Sequence, residues 1–143
     1  MIQDKTPREL RVKPSASVKG SALTGIAVVV IGVKDLDAAI ASFRKAYGLD
    51  VPKVEEHKEF GARLAYFSGT PVMLAAPLDS NSWLTERLAK FGESPVAYLL
   101  GTSEFGAASK KYSVGSETAW FGKKIRWFDA EKLSSARLGI IAK

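Results

Sequence analysis

The sequence predicts an α+β fold in which two βαβββ units form one domain. Three observations support it. A run of apolar, mostly β-branched residues extends from Leu23 to Val33, a pattern of apolar residues with helical spacing follows it, and the same order returns about 69 residues later. A chain of 143 residues has the usual length of a single domain.

The first unit begins after a polar segment, residues 1–22, which we expect to be a loose N-terminal arm in which RELRV could add one short strand. The run from Leu23 to Val33 is typical of a strand that is buried on both faces. Asp35 can cap a helix that Gly48 ends. That helix should lie on a sheet through its apolar side chains, Leu36, Ala39, Ile40, Phe43 and Tyr47.

The first unit spans residues 23–77, and the part of it that follows the helix is predicted to consist of strands. Residues 51–59 are polar and partly alternating, and GARLAYFSGTPVMLAAP reads as two short strands joined by a turn at Ser68, Gly69 and Thr70. A connecting helix is then predicted over residues 80–92, with Leu84, Leu88 and Phe91 on its apolar side and Gly92 as its end.

The second unit, residues 95–143, repeats this order. PVAYLLGT predicts a buried strand, SEFGAASKKYSVG a short helix, and the remainder two or three strands with a loop at 129–135. When Gly32 is superposed on Gly101, Val28 falls on Ala97 without a gap. An internal duplication is the simplest explanation of this match.

Composition limits the possible functions. No apolar run is long enough to cross a bilayer and the N-terminal residues lack the apolar core of a secretory signal, so we expect a cytoplasmic protein. The absence of cysteine excludes disulfides and thiolate chemistry. The net charge of +6 comes from scattered Lys and Arg residues, which is not typical of a nucleic-acid or membrane partner.

The doubled unit, whose first copy reads VKDLDAAIASFRKAYGL, resembles the vicinal oxygen chelate superfamily over residues 23–143. This superfamily includes glyoxalase I, methylmalonyl-CoA epimerase, extradiol dioxygenases and the bleomycin-resistance proteins. The resemblance implies two strongly curved four-stranded sheets around a cleft, with a helix on the outer face of each unit. It also implies a homodimer and, in the metal-dependent members, a divalent metal held by His, Gln or Glu from the first and last strands of each unit.

The metal ligands of the superfamily are missing from the matching positions. These positions fall on Val28, Met73, Ala97 and Gly139, none of which offers a lone pair to a hard cation. We therefore expect no metal and no other cofactor. His57, beside Glu55, Glu56 and Glu59, has the atom types of a divalent site, but a solvated, charged edge strand is the simpler interpretation.

Side-chain alternation along the strands predicts which other residues face the cleft. It adds Ile26, Val30, Pro71, Ala75, Leu99 and Ile141 as an apolar floor, with Arg137 as its one charge. Trp83, Tyr98 and Trp127 could add flat surfaces, and Arg126 could add a further charge unless Trp127 points inward. The resulting candidate ligand-binding residues are Val28, Val30, Arg63, Met73, Ala97, Leu99, Trp120, Arg137 and Gly139.

No catalytic residue is identified, because no Ser/His/Asp grouping and no phosphate-binding glycine motif is present. Glu117 and Asp129 are the only carboxylates on the late strands that could form a catalytic pair, and a surface position is the simpler interpretation. Three functions remain open. The first is metal-independent binding of a small aromatic or anionic molecule. The others are an isomerase, lyase or dioxygenase of the same superfamily with displaced ligands, and a scaffold or regulatory domain with a filled cleft.

Overall fold

The computed structural model describes residues 21–130, 133 and 137–143. The predicted arm and its RELRV strand lie outside the described residues, as does most of the predicted loop at 129–135. The first unit comprises β1 (Leu23–Gly32), α1 (Leu36–Tyr47), β2 (Lys53–His57), β3 (Ala62–Tyr66) and β4 (Val72–Pro77). The helix α2 (Trp83–Phe91) follows, and the second unit comprises β5 (Ser94–Thr102), α3 (Phe105–Lys111), β6 (Glu117–Trp120), β7 (Lys123–Trp127) and β8 (Arg137–Ala142).

Local sequence signals set the bounds of α1. The Oδ1 atom of Asp35 accepts a hydrogen bond of 3.0 Å from the backbone N–H of Ala38, which satisfies one of the free donors at the helix start. Gly48 ends the helix at φ 64°, in the left-handed region that glycine adopts without a steric penalty. The predicted cap and stop are therefore both confirmed.

The eight strands form one continuous mixed sheet in the order β2-β3-β4-β1-β5-β8-β7-β6. The two units are joined where β1 and β5 pair in antiparallel fashion, with Val28 opposite Leu99 and Val30 opposite Ala97. The expectation of an α+β fold built from two βαβββ units is confirmed, and the two four-stranded sheets merge into a single curved one. The late segment forms three strands, the larger of the two numbers expected.

The pairing register supports the duplication. Within the first unit, Val30 of β1 lies opposite Met73 of the parallel strand β4, and within the second, Leu99 of β5 lies opposite Gly139 of β8. Val30 and Leu99 are 69 residues apart in the sequence, the same offset that places Val28 on Ala97. The two units therefore hold corresponding residues at corresponding places, and Met73 corresponds to Gly139.

The two faces of the sheet carry different cores. The outer face of the first unit packs under α1 through a small cluster that includes Leu36, Phe67 and Leu74. A larger cluster fills the inner face and contains buried residues from both units, among them Val30, Met73, Leu99 and Trp120. This inner face, which we call the cleft face, is where the superfamily resemblance locates the functional site.

The helix α2 packs on one end of the cleft face. Its Leu84 and Leu88 side chains are buried in the cluster of the inner face. A Cβ atom at Gly32 would lie 2.7 Å from Val96 Cγ1 and 3.1 Å from Leu84 Cδ1. The helix reaches the end of β1 because position 32 carries no side chain. In the part of the chain that the structure describes, no helix has both the length and the apolar character needed to cross a bilayer.

Candidate functional site

The four positions that would hold a metal all lie in the strands β1, β4, β5 and β8, but no ligand group occupies them. Val28, Met73 and Ala97 are buried apolar residues of the cleft-face cluster. A Cβ atom at Gly139 would lie 2.9 Å from Trp127 Cε3 and 3.0 Å from the carbonyl oxygen of Arg126. Position 139 therefore has no room for any side chain, whether or not that side chain could bind a metal.

Aromatic rings fill the middle of the cleft. Trp120 and Trp127 meet edge to face, with ring centroids 5.6 Å apart, and Phe60 lies 5.2 Å from each of them. Trp83, at the start of α2, packs edge-on against Phe60 at 5.4 Å. We call Phe60, Trp83, Trp120 and Trp127 the aromatic cluster. Its four rings pack in the same cleft-face cluster as Val28, Met73 and Ala97.

The residues present at this centre do not fit a divalent metal. The four positions supply alkyl groups, a thioether and a bare Cα, whereas hard or borderline cations need oxygen or imidazole ligands. Across residues 21–130, 133 and 137–143, no group of three or more His, Asp or Glu side chains is arranged to hold an ion. The donor set of this centre therefore differs from that of the metal-dependent members of the superfamily.

His57 joins the two edges of the sheet. Its ring lies 4.6 Å from the Trp120 ring and 5.5 Å from the Phe121 ring, centroid to centroid, and its Nε2 lies 3.2 Å from Glu55 Oε2. Beside it, the Thr118 hydroxyl donates a hydrogen bond of 3.1 Å to Glu59. Because β2 and β6 are the two edge strands, these contacts close the cleft along one side. The interpretation of this strand as a solvated edge holds for Glu55 and Glu56, but not for the largely buried His57.

Arg63 does not face the cleft, which corrects the sequence-based expectation. It lies between Ala62 and Leu64, both part of the cleft-face cluster, so alternation directs its side chain to the outer face. There its Nη2 lies 3.6 Å from Asp37 Oδ1 of α1. Ile26 is 60% exposed and is not part of the buried floor either.

Arg126 and Trp127 point to opposite faces, as neighbours on one strand must. Trp127 belongs to the aromatic cluster, and the Arg126 guanidinium lies 6.0 Å from the Phe105 ring of α3. Glu117 forms ion pairs with Lys124 at 2.9 Å and with Arg126 at 3.7 Å. The hydrogen bond from Lys124 is the main cause that lowers the pKa of the Glu117 carboxyl group. This carboxylate is held ionised and does not pair with a second carboxylate in the cleft.

Of Arg63, Arg126 and Arg137, only Arg137 lies at the cleft. Its Cζ atom lies 4.1 Å from the centroid of the Trp83 ring and 5.6 Å from that of Phe60. Burial lowers the pKa of its guanidinium, because the charged form loses part of its hydration. No carboxylate in the described ranges forms an ion pair with it, so stacking on the rings is its main interaction.

Arg137 borders a pocket of about 360 Å³ at the α2 end of the cleft. The α2 side of this pocket is formed by Trp83, Glu86, Arg87, Lys90 and Phe91, and Ala130 completes the lining. The Arg87 guanidinium and the Lys90 ammonium each lie 5.2 Å from the centroid of the exposed Phe91 ring. Three cations and one carboxylate thus surround two flat rings. We call this the α2 pocket.

The sequence did not predict Arg87, Lys90 and Phe91 as site residues. Residues 83, 87 and 90 follow one another at helical spacing, so a search for a polar face on α2 could have found them. Hydrogen bonds fix the helix start: Trp83 Nε1 donates to the Phe60 carbonyl at 2.5 Å, and Ser82 Oγ donates to the Gly61 carbonyl at 2.6 Å. The α2 pocket is therefore bordered by a helix whose start is held in place by hydrogen bonds.

Comparisons with known proteins agree with this architecture. Methylmalonyl-CoA epimerase from Mycobacterium tuberculosis superposes with a TM-score of 0.70 at 22% sequence identity, over 85% of this chain and 89% of that one. A variant of the Streptomyces coelicolor enzyme, solved in complex with 2-nitronate-propionyl-CoA, has a TM-score of 0.68 at 26% identity, over 85% and 95% of the two chains. No protein-family model and no curated protein sequence matches the chain.

The comparisons define the class of fold: the chain has the fold of the vicinal oxygen chelate, or glyoxalase-like, superfamily. Within that class, the chain is similar in structure to methylmalonyl-CoA epimerases. A further structure of that enzyme, in complex with methylmalonyl-CoA and ammonium, has a TM-score of 0.67 at 24% identity, over 85% of this chain and 95% of that one. The superfamily resemblance seen in the sequence is thus confirmed at the level of the fold.

Proposed function

We propose that this protein binds a small anionic molecule with a flat aromatic part, at the α2 end of its cleft and without a divalent metal. The observation that carries the proposal is the half-buried guanidinium of Arg137, which stacks on Trp83 and has no carboxylate partner among the described residues. A cation that has lost part of its hydration and has no carboxylate partner in the part of the chain that the structure describes attracts an anion more strongly than a solvated one does.

Charge supports an anionic ligand. Arg87 and Lys90 border the same pocket as Arg137, and Glu86 is the one carboxylate in its lining. Guanidinium groups bind carboxylate and phosphate through two parallel hydrogen bonds, which gives direction as well as attraction. The net positive charge of the lining would also speed the approach of an anion at low ionic strength.

Shape supports a flat ligand. The volume of about 360 Å³ lies within the usual range for small-molecule sites, and Trp83 and Phe91 offer ring surfaces on which a planar group could stack. The Arg137 guanidinium already stacks on the Trp83 ring. The ligand is therefore expected to bind this guanidinium while the guanidinium stays stacked on Trp83. Carboxylate or phosphate binding there would keep the guanidinium over the ring.

The proposal is tested by titration with phenyl phosphate and with benzyl alcohol, a neutral compound that has the same ring. Phenyl phosphate at a hundred times its dissociation constant should stabilise the fold by about 2.7 kcal/mol, and the melting temperature should rise accordingly. Benzyl alcohol should cause no comparable rise. Equal shifts from the two compounds, or none from either, would contradict an anionic site.

Two arginine variants locate the site. Arg137→Ala should weaken phenyl phosphate binding by more than about tenfold, because the ligand loses a charge-assisted hydrogen bond in a partly dry environment. Arg63→Ala is the matched control, since Arg63 lies on the outer face against Asp37. It should leave the affinity unchanged. If Arg137→Ala also binds normally, the ligand does not use the α2 pocket.

A second candidate function is isomerisation of an acyl-CoA thioester. The similar solved structures are methylmalonyl-CoA epimerases, some of them with CoA ligands, and CoA phosphates would match the cations of the α2 pocket. The test is incorporation of deuterium from heavy water at C2 of methylmalonyl-CoA, followed by mass spectrometry. Incorporation above a protein-free control supports the isomerase. Tight binding without incorporation favours the binding protein.

A further inference from the structure

An open groove lies on the outer face of the second unit, between α3 and the hairpin of β6 and β7. It measures about 560 Å³, which is more than the α2 pocket. Ile125 and Trp127 of β7 pack in the cleft-face cluster, so alternation directs their neighbours Lys124 and Arg126 to the outer face. These two residues line the groove together with Phe105, Ser109 and Lys110 of α3. We call it the α3 groove.

The helix side of this groove is less apolar than the matching helix of the first unit. α1 and α3 begin 69 residues apart, so the repeat offset places Ile40 on Ser109. Ile40 packs against the cluster under α1, whereas the Ser109 hydroxyl donates a hydrogen bond of 2.7 Å to the Phe105 carbonyl oxygen within α3. α3 also ends after 7 residues, where α1 has 12. The second helix therefore offers less apolar surface to its sheet.

The sheet side of the groove carries a charge where the first unit is apolar. Leu74 of β4 and Ile140 of β8 hold corresponding places in the two units. Ala65 lies opposite the first of them and Arg126 opposite the second. Ala65 is fully buried in the cluster under α1. A guanidinium group in the second unit thus takes the place of a buried methyl group in the first, and the outer face of the second unit stays open.

The α3 groove has a net positive charge. Glu117 is the one carboxylate among its lining residues, and this carboxylate binds Lys124 at 2.9 Å. Lys110 forms no ion pair with a carboxylate in the part of the chain that the structure describes. Arg126 has five N–H donors, of which one bonds the Gly115 carbonyl oxygen at 3.3 Å, and its Nη2 lies 3.7 Å from Glu117. Lys110 and Arg126 therefore keep donors for a further anion.

Exposure of the groove favours a chain segment as its occupant. Lys110 is exposed and the Lys124 side chain is 65% exposed, whereas sites for small molecules bury most of the ligand. A segment that lies along the groove needs no such enclosure. The Glu117 carboxylate would repel the closely spaced phosphates of a nucleic acid. The partly exposed ring of Phe105 offers an apolar contact beside the cations.

We propose that the α3 groove docks an acidic segment of a partner protein. Carboxylate side chains of the segment pair with Lys110 and Arg126, and one apolar side chain packs on the Phe105 ring. The groove and the α2 pocket lie on opposite faces of the sheet. The docking therefore does not depend on the function proposed for the α2 pocket.

Binding is measured with the full chain by fluorescence anisotropy of a labelled peptide in which glutamate and leucine alternate. The control peptide has glutamine in place of glutamate. The acidic peptide should bind, and its affinity should fall as the salt concentration rises, because screening weakens exposed charge pairs. The glutamine peptide should bind at least about fivefold more weakly, since the ion pairs are lost. Equal affinities of the two peptides, or no binding of the acidic one, would overturn the proposal.

Substitutions of Gly106 in the groove separate charge from shape. Gly106 corresponds to Asp37 of the first unit by the 69-residue offset, and a Cβ atom there meets nothing within 4 Å. Gly106→Asp adds a carboxylate that should repel the acidic peptide and pair with Lys124, as Asp37 pairs with Arg63. The affinity should fall at least about fivefold. Gly106→Asn has nearly the same shape and should keep the affinity within about twofold of the native value. Equal losses in the two variants would contradict docking through charge.

Charge reversal on the two helices locates the site. Lys110 and Lys45 both lie in the last turn of their helices, so Lys110→Glu and Lys45→Glu change the net charge equally. Lys110→Glu should weaken binding of the acidic peptide at least about fivefold, and Lys45→Glu less than about twofold. Equal losses would show that the peptide follows the net charge of the chain, which refutes the groove. Tighter binding of a labelled single-stranded oligonucleotide that Lys110→Glu abolishes would also refute an acidic protein segment as the occupant.

Discussion

The Trp127 ring lies so close to Gly139 that no Cβ atom fits at position 139. A Cβ atom at that position would lie 2.9 Å from Trp127 Cε3, closer than real Cβ contacts allow. Gly139 lies opposite Leu99 in the parallel pairing of β5 and β8, where the superfamily resemblance would place a metal-binding carboxylate. The ring has taken the space of that side chain, so glycine is required at this position for packing.

Substitution of Gly139 should therefore destabilise the protein. We expect Gly139→Ala to lower the free energy of unfolding by about 1–3 kcal/mol, because overpacking forces Trp127 or Leu99 to move. Urea denaturation followed by tryptophan fluorescence measures it. Gly106→Ala is the control: a Cβ at this α3 position meets nothing within 4 Å, and alanine favours helix by up to about 1 kcal/mol. Equal stability of the Gly139→Ala variant and the native protein would show that the Trp127 contact is loose.

The native cleft should bind no divalent metal, and two histidine substitutions should not be enough to create a metal site. Calorimetric titration with Zn²⁺, Ni²⁺, Mn²⁺ and Fe²⁺ is expected to show no stoichiometric binding at the cleft, because the buried side chains of the cleft-face cluster offer no oxygen or imidazole. A Val28→His, Ala97→His double variant should not gain a tight zinc site either, since Gly139 cannot accept a third ligand. One ion bound per native chain would contradict this prediction.

The packing of α2 should couple stability to ligand binding. Leu84 is fully buried against the end of β1, and Leu84→Ala should cost about 2–5 kcal/mol of stability through the cavity it leaves. The same variant should weaken phenyl phosphate binding, since α2 positions Trp83, Arg87 and Lys90. Thermal denaturation and calorimetry measure the two effects. Phe91→Ala, at a side chain that is 59% exposed, should alter stability by less than about 1 kcal/mol.

The N-terminal cap of α1 provides a separate test of the fold. Asp35→Ala should destabilise the protein by about 1 kcal/mol, because the Ala38 N–H loses its acceptor. Asp37→Ala, which removes an exposed ion pair with Arg63 and a negative charge in the first turn of α1, should cost about 0.5 kcal/mol or less. Chemical denaturation of both variants would compare them. A larger loss at Asp37 than at Asp35 would contradict the assigned cap.

Much of the fold could be predicted because its signals are local or periodic. The apolar run of β1, the cap at Asp35, the stop at Gly48 and the 69-residue offset that pairs Val28 with Ala97 are all readable along the chain. The positions of the missing metal ligands followed from the superfamily resemblance, and their register in the sheet agrees with the repeat.

The content of the cleft could not be predicted in the same way. Trp83, Trp120 and Trp127 come from three different elements, and nothing in their spacing indicates that their rings meet. The prediction for Arg63 was wrong because the sequence of a short strand does not show which of its alternating side chains face the cleft. In the structure, Ala62 and Leu64 are buried on the cleft face, so Arg63 between them points to the outer face.

The two halves of the molecule keep one hydrogen-bonding register, yet their side chains are no longer interchangeable. Met73 in the first half and Gly139 in the second occupy corresponding places, and only the smaller leaves room for Trp127. A second copy of the first half could not take the place of the second without a collision at this point. Each half therefore packs specifically against the other, and two identical halves would not form this sheet.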